Sequence, residues 1–205
     1  MAAFETAQTG RSAPNTVPGR ACGSCTLCCK VFHIIETESE AGQWCRHCKP
    51  GKGCTIYETR PDRCRGFFCM WMTQSGLGPE WKPEKSKLVL SIELDGQRIA
   101  AHVDPSVPGA WRRSPYYEDL KRWSAEGLQV QRQVSVWIGQ HCIVILPDKE
   151  IDLGTVADDE VVVSMAQMTQ SGPVYGAEKM KRSEAEARQQ QWVEARRRFE
   201  TQKGN

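Results

Sequence analysis

The chain has 205 residues, long enough to bury a core as one domain or one domain with an appendage. Its 27 Lys and Arg nearly balance 25 Asp and Glu, and a formal charge of +2 excludes polyanion binding driven by global charge. No stretch approaches the roughly 18 apolar residues that read as a membrane span. Residues 1–20 lack the apolar run of a secretory signal, so the protein is expected in a reducing cytosol.

Residues 1–20 are rich in Thr, Ser, Pro, Gly and Ala without periodicity and read as a disordered leader. Residues 21–73 follow as a cysteine-cluster module, and nine of the ten cysteines fall between Cys22 and Cys69. Cys22, Cys25 and Cys28 are spaced C-x-x-C-x-x-C, with Cys29 directly after. Cys45 and Cys48 repeat the C-x-x-C grip, and Cys54, Cys64 and Cys69 come at looser spacing. In a reducing compartment such spacing points to metal ligands rather than disulfides. The segment has few apolar residues, so bound metal is expected to supply much of its folding energy.

Residues 74–83 (QSGLGPEWKP) read as a linker to a body over residues 84–170. There, Asp95-Gly96 predicts a type I′ hairpin pairing Ile92 with Ile99, Leu90 with Ala101 and Leu88 with Val103. Glu93 would lie opposite Arg98 on the other, polar face, where His102 would also sit. Ser114-Pro115 predicts an N-cap and first helical position, and Tyr116, Leu120 and Trp123 an amphipathic helix over 115–126 stopped by Gly127. Val130, Val134, Val136 and Ile138 then alternate with polar residues. A turn at Gly139-Gln140 would pair Val136 with Ile143 and Val134 with Ile145. A short strand near Val161–Met165 would complete an antiparallel sheet. Residues 177–205 read as a charged helical tail docked by Trp192 and Phe199. The expected class is α+β: a cysteine-rich module, a small antiparallel sheet of two hairpins with a short helix, and a charged C-terminal helix.

Two kinds of inorganic centre compete for the thiols. Structural zinc takes four thiolates, so eight of the nine cysteines would serve two sites. Alternatively, C-x-x-C-x-x-C resembles the first three ligands of a ferredoxin-type iron–sulfur cluster, although Cys29 and Lys30 stand where a spaced Cys and Pro would continue that run. Neighbouring side chains diverge, so Cys28 and Cys29 are expected to face different sites. Lys30, Arg46, Lys49, Lys52, Arg60, Arg63 and Arg65 lie among the cysteines and could offset thiolate charge. His47 would compete with its own flanking cysteines, His33, His102 and His141 have no partner at metal spacing, and Cys142 reads as a packed thiol. No phosphate-cradling Gly loop, G-x-S-x-G or H-E-x-x-H is present.

The CGSCTLCC opening, with the later C-T-I-Y-E-T-R-P-x-x-C-R and F-x-C, resembles the YkgJ family of bacterial cysteine-cluster proteins, described as zinc- or iron-chelating domains. The resemblance covers Cys22 to Cys69 and implies a metal-binding module with Cys22, Cys25, Cys28, Cys29, Cys54, Cys64 and Cys69 at matching positions. Cys45 and Cys48 lie in its more variable middle, where one cysteine would be usual. A related cluster is associated with flagellin lysine methylases. The function expected is therefore metal binding, as zinc or an iron–sulfur cluster. The alternative is an iron–sulfur oxidoreductase or protein-modifying enzyme that uses the cluster as support or redox centre. The expected partner is the metal ion, with room for a protein; nucleic acid and membrane are not expected.

Overall fold

The computed structural model describes residues 16–203, with side chains as far as residue 198. Most of the expected leader therefore lies outside the described residues. Its last residues are docked rather than loose. The Val17 N–H donates to the Met72 carbonyl at 2.8 Å, and the Arg20 guanidinium donates to the carbonyls of Trp71, Gln74 and Leu77.

The cysteine-rich segment contributes α1 (Cys28–Val31), the short hairpin β1 (Cys48–Lys49) and β2 (Gly53–Cys54), α2 (Asp62–Arg65) and α3 (Met70–Thr73). After it come α4 (Pro83–Ser86), β3 (Leu88–Glu93), β4 (Arg98–Val103), α5 (Tyr116–Gly127), β5 (Gln133–Ile138), β6 (His141–Ile145) and β7 (Glu150–Thr155). The chain ends with β8 (Glu160–Thr169), β9 (Gly172–Lys181) and α6 (Arg182–Lys203). Helices and strands are mixed without a repeating βαβ order, an α+β architecture. Among the described residues no helix is long and apolar enough to cross a membrane.

The main sheet has five strands in the order β3-β4-β5-β6-β7. Both hairpin registers match the pattern of apolar residues: Leu88, Leu90 and Ile92 face Val103, Ala101 and Ile99, and Val134 and Val136 face Ile145 and Ile143. At the first turn Asp95 (φ 52, ψ 36) and Gly96 (φ 95) hold the left-handed conformations of a type I′ turn, closed by the Gln97 N–H on the Leu94 carbonyl at 3.0 Å. The sheet is nevertheless mixed, not antiparallel throughout. β4 and β5 run parallel, because α5 carries the chain across one face and back to the starting edge.

That face packs Leu88, Leu90, Ala101, Val134, Val136 and Ile143 against Leu120, Tyr116, Trp111 and Trp81. Trp81 and Leu77 are buried here, so residues 74–83 are core rather than linker. The Trp81 indole N–H also donates to Asp119 at 3.0 Å. α5 starts one residue later than expected, with Pro115 at the N-cap and no side-chain cap from Ser114. Gly127 does not end the helix through a left-handed conformation; a short 3₁₀ turn continues from it, and Gln131 (φ 53) turns the chain. A Cβ at Gly127 would stand 2.6 Å from the Arg132 carbonyl oxygen, so close approach explains the glycine. Val130 lies in that turn, 61% exposed, rather than in the strand.

The second face is also covered, contrary to the expectation of a polar solvent face. Val89 packs with Leu27, Val31, Phe32, Cys69 and Met72 of the cysteine-rich segment. Cys142 and Val144 pack with Leu146, Val156 and Val162. His102 is buried between these clusters against the Phe32 ring (centroids 4.6 Å apart), and its Nε2 lies 2.9 Å from Glu93.

The C-terminal third departs further. Val161–Met165 belongs to β8, which pairs with β9 in a separate two-stranded ribbon and not with the main sheet. Ala177–Lys181, expected as helix, closes β9, and α6 begins at Arg182. Trp192 is 62% exposed and does not dock the helix; the Phe199 side chain lies outside the described residues.

Candidate metal centre

Backbone hydrogen bonds gather the cysteines before any side chain is considered. The Cys22-x-x-Cys25 turn closes through the Cys25 N–H on the Cys22 carbonyl at 2.8 Å, and Cys45-x-x-Cys48 closes in the same way at 2.9 Å. The Cys45 N–H donates to the Cys29 carbonyl at 2.9 Å, which pins this second turn to α1. The antiparallel register of β1 and β2 then sets Cys54 opposite Cys48. Cys64 lies on α2, and Cys69 immediately precedes α3.

The thiols fall into two neighbouring groups. Cys69 packs beside Leu27 and Met72, with Cys25 and Cys28 against the same apolar cluster. Burial pushes Cys69 up to about 11, opposed by the Met72 N–H and reinforced by Cys22 and Cys25. The second group centres on Cys29, whose thiol is raised by the neighbouring Cys28, by burial and by Cys45, with Cys48 acting in the opposite direction. Burial and then Cys29 push Cys48 up to about 11, while a Thr26 hydroxyl bond opposes the shift. Cys64 rises to about 11 through burial, then Cys29, Cys45, Cys54 and Glu36. Cys28 packs against the Cys69 cluster and also acts on the adjacent Cys29 of the second group, so it lies between the two.

The cations expected around the sulfurs have mixed roles. Arg46 pairs with Glu38 at 2.8 Å, Arg63 with Glu36 at 3.3 Å and Arg65 with Asp62 at 3.8 Å. Arg60 lies over the Tyr57 ring, 3.7 Å from its centroid, and its charge also favours the Cys22 thiolate. Lys30 points away from the thiols, into a buried pair with Asp104 at 2.6 Å. Three contributors escaped the sequence reading. Lys82 favours the thiolates of Cys22 and Cys25, and Glu84 is tied both to Lys82 at 2.7 Å and to Ser24 at 3.1 Å. Thr26 is buried, and its Oγ1 accepts the Gly51 N–H at 3.2 Å. Lys82 and Glu84 lie beyond the last clustered cysteine, so no local spacing marks them.

The histidines stay apart from the thiol groups in their contacts. The His33 ring nitrogens are buried without a hydrogen bond, with Nδ1 3.4 Å from Glu40. His47 meets Arg46 at 3.3 Å, and His141 meets Asp152 at 2.7 Å. Cys142 is fully buried in an apolar cluster, as its alternating strand predicts. Ser91, His102 and Glu93 form a compact polar cluster, but Ser91 and Glu93 both approach the same His102 nitrogen, Nε2, at 3.2 and 2.9 Å. A nucleophilic relay needs its acid and its nucleophile on opposite ring nitrogens, so these contacts do not form one.

The donor chemistry suits a thiophilic ion: cysteine sulfurs in two groups, backbone N–H groups of Leu27 and Glu84 bonded to Cys25, and cations within electrostatic reach. All ten cysteines are free thiols. Among the described residues, however, no three Cys, His, Asp or Glu side chains stand in a metal-ligating arrangement. No family model, curated protein or solved structure matches the chain.

Proposed function

We propose that this chain is a metal-binding protein of the YkgJ cysteine-cluster kind, holding zinc or an iron–sulfur cluster through Cys22, Cys25, Cys28, Cys29, Cys45, Cys48, Cys54, Cys64 and Cys69. The reading is supported chiefly by the backbone network that pins the Cys45–Cys48 turn onto Cys29 and sets Cys54 opposite Cys48. It draws together unpaired thiols that start up to 25 positions apart. Thiols gathered without a disulfide have no chemical role of their own in a reducing cytosol, whereas a bound cation would neutralise their thiolates and tie the loops. Two neighbouring groups, one around Cys22, Cys25, Cys28 and Cys69 and one around Cys29, Cys45, Cys48, Cys54 and Cys64, favour more than one metal ion. A bound ion would supply structural cross-linking, while the chain's own residues orient the sulfurs and exclude water.

Anaerobic purification followed by metal analysis and a visible spectrum tests the proposal. About two zinc ions per chain, colourless, is the result expected of two thiolate sites. A brown protein with iron and acid-labile sulfide selects the cluster instead. Less than one ion of any kind per chain overturns metal binding. Cys25→Ser and Cys64→Ser should each lower the metal content; full loading in both removes these residues from the ligand set.

A further inference from the structure

We infer that the outer edge of β8 is a self-pairing surface, where two copies of this chain join into a four-stranded sheet ordered β9-β8-β8-β9. The stretch that forms it stands out by composition. Between Glu160 and Glu178 lie 17 residues without a charged side chain, in a chain that is 25% charged. They make up most of the β8–β9 ribbon, joined by the two-residue turn Gln170-Ser171. On the near part Val162, Tyr175 and Ala177 pack with Cys142 and Val144 of the main sheet. Beyond them residues 164–169 are exposed throughout, Met165 at 47% and Met168 at 78%.

The ribbon register decides which backbone groups face outward. The Arg182 N–H donates to the Asp159 carbonyl at 2.8 Å, one step beyond the Glu160–Lys181 pair. Odd-numbered residues of β8 therefore bond to β9, and the N–H and C=O of the even-numbered ones point away from it. The Val162 carbonyl agrees, since it accepts from Arg98 at 3.2 Å. On β9 the outward row is broken by Pro173, which lies opposite Met168 and has no N–H. On β8 it is whole: among the described residues, the backbone N–H and C=O of Ser164, Ala166 and Met168 meet no partner. Natural sheets guard such an edge with a charge, a bulge or a cover, and Ser164–Met168 carries none of these.

Arg98 closes the open edge at Val162 and the turn closes it at Gln170, so its midpoint is Ala166. Antiparallel pairing about that midpoint sets Ala166 opposite the second copy's Ala166 and Ser164 opposite its Met168, each pair exchanging both backbone hydrogen bonds. On the other face Met165 meets the second copy's Gln167. Every side chain so paired is uncharged, so no charge is brought against its like. An acidic or basic partner finds no counter-charge on this edge, whereas a second copy supplies an equal length of open, uncharged strand. The pairing does not involve the clustered cysteines and stands apart from the metal-binding reading.

Sedimentation equilibrium of the full chain in reductant, over about 1–100 μM, tests the pairing. A monomer–dimer equilibrium is expected. Ala166→Lys and Ala166→Glu each set like charges face to face across the two-fold axis, and each should be monomeric over the same range. An equimolar mixture of the two variants should recover a dimer, because the introduced ammonium then faces the introduced carboxylate. Val174→Lys adds the same charge to β9, away from the axis, and should leave the dimer intact. Residue 166 is exposed and its backbone bonds are not used within the ribbon, so all three variants should melt with the unchanged chain. An unchanged chain that is monomeric at about 100 μM overturns the inference and leaves the edge to an extended segment of another protein. A dimer that survives Ala166→Lys, or is lost equally in Val174→Lys, places the interface elsewhere and also overturns it. So does a mixture of the Ala166→Lys and Ala166→Glu chains that stays monomeric.

Discussion

Lys30 is where the cysteine-rich segment is fastened to the sheet at the scale of single residues. Its ammonium donates to Asp104 and to Ser106, each at 2.6 Å, and both members of the ion pair are buried. Asp104→Ala leaves an uncompensated buried cation, and a loss of about 3–5 kcal/mol is expected in urea unfolding. Replacing both members with apolar residues should recover much of it. The two ends of the pH scale act on different groups. Burial opposes ionisation of Asp104 and Glu93, but Lys30 and His102 respectively outweigh it, and both carboxyls lie below their ordinary values of 3.8 and 4.5. A depressed carboxyl contributes stability that is present above its unfolded pKa and lost as pH falls through the folded one. Cys48, Cys64 and Cys69 are raised from 9.0 to about 11, so their contribution holds below pH 9.0 and fades as pH climbs toward 11. The metal-free chain should therefore be most stable between these limits, as a series of melting temperatures against pH would reveal. The same raised thiols must shed protons to bind metal, so affinity for zinc should strengthen with pH in a chelator competition. A pH-independent affinity would exclude these thiols as ligands.

Elements carry the fold where single residues could not signal it. Trp81 lies in a stretch rich in Gly and Pro, yet it is 1% exposed and wedged against Tyr116 and Trp123 of α5 (centroids 4.8 and 5.2 Å). Trp81→Ala should cost about 3–5 kcal/mol, the range for a buried aromatic, where a linker residue would cost almost nothing. At the far end of α5, Gly127→Ala should destabilise by about 1–3 kcal/mol, because the new methyl meets the Arg132 carbonyl oxygen at 2.6 Å. Ordinary helix propensity predicts the opposite sign, so one equilibrium unfolding curve decides between them. The hairpins were readable from residue type because alternation and turn chemistry act over a few neighbours. The parallel pairing of β4 with β5 was not readable, since it depends on where the α5 crossover returns.

For the molecule as a whole, the covered second face of the sheet is the organising fact. Phe32 meets both Phe67 and His102 edge to face, while Val89 shares a cluster with Leu27, Val31 and Met72. A chain lacking residues 16–73 would expose that face, with Val89 and the Glu93–His102 pair, to water. It should bind a hydrophobic dye and elute as aggregates in size exclusion; a monomeric, cooperatively melting fragment would show that the body stands alone. The near-neutral charge, the thiol spacing and both hairpin registers were determined by sequence alone, because each rests on composition or on contacts between near neighbours. Tertiary structure alone decided that the Cys45–Cys48 turn is pinned to Cys29, that Lys82 favours the Cys22 thiolate and that Trp81 is core. These contacts join positions far apart in the chain, and only the packing of both sheet faces brings them within reach.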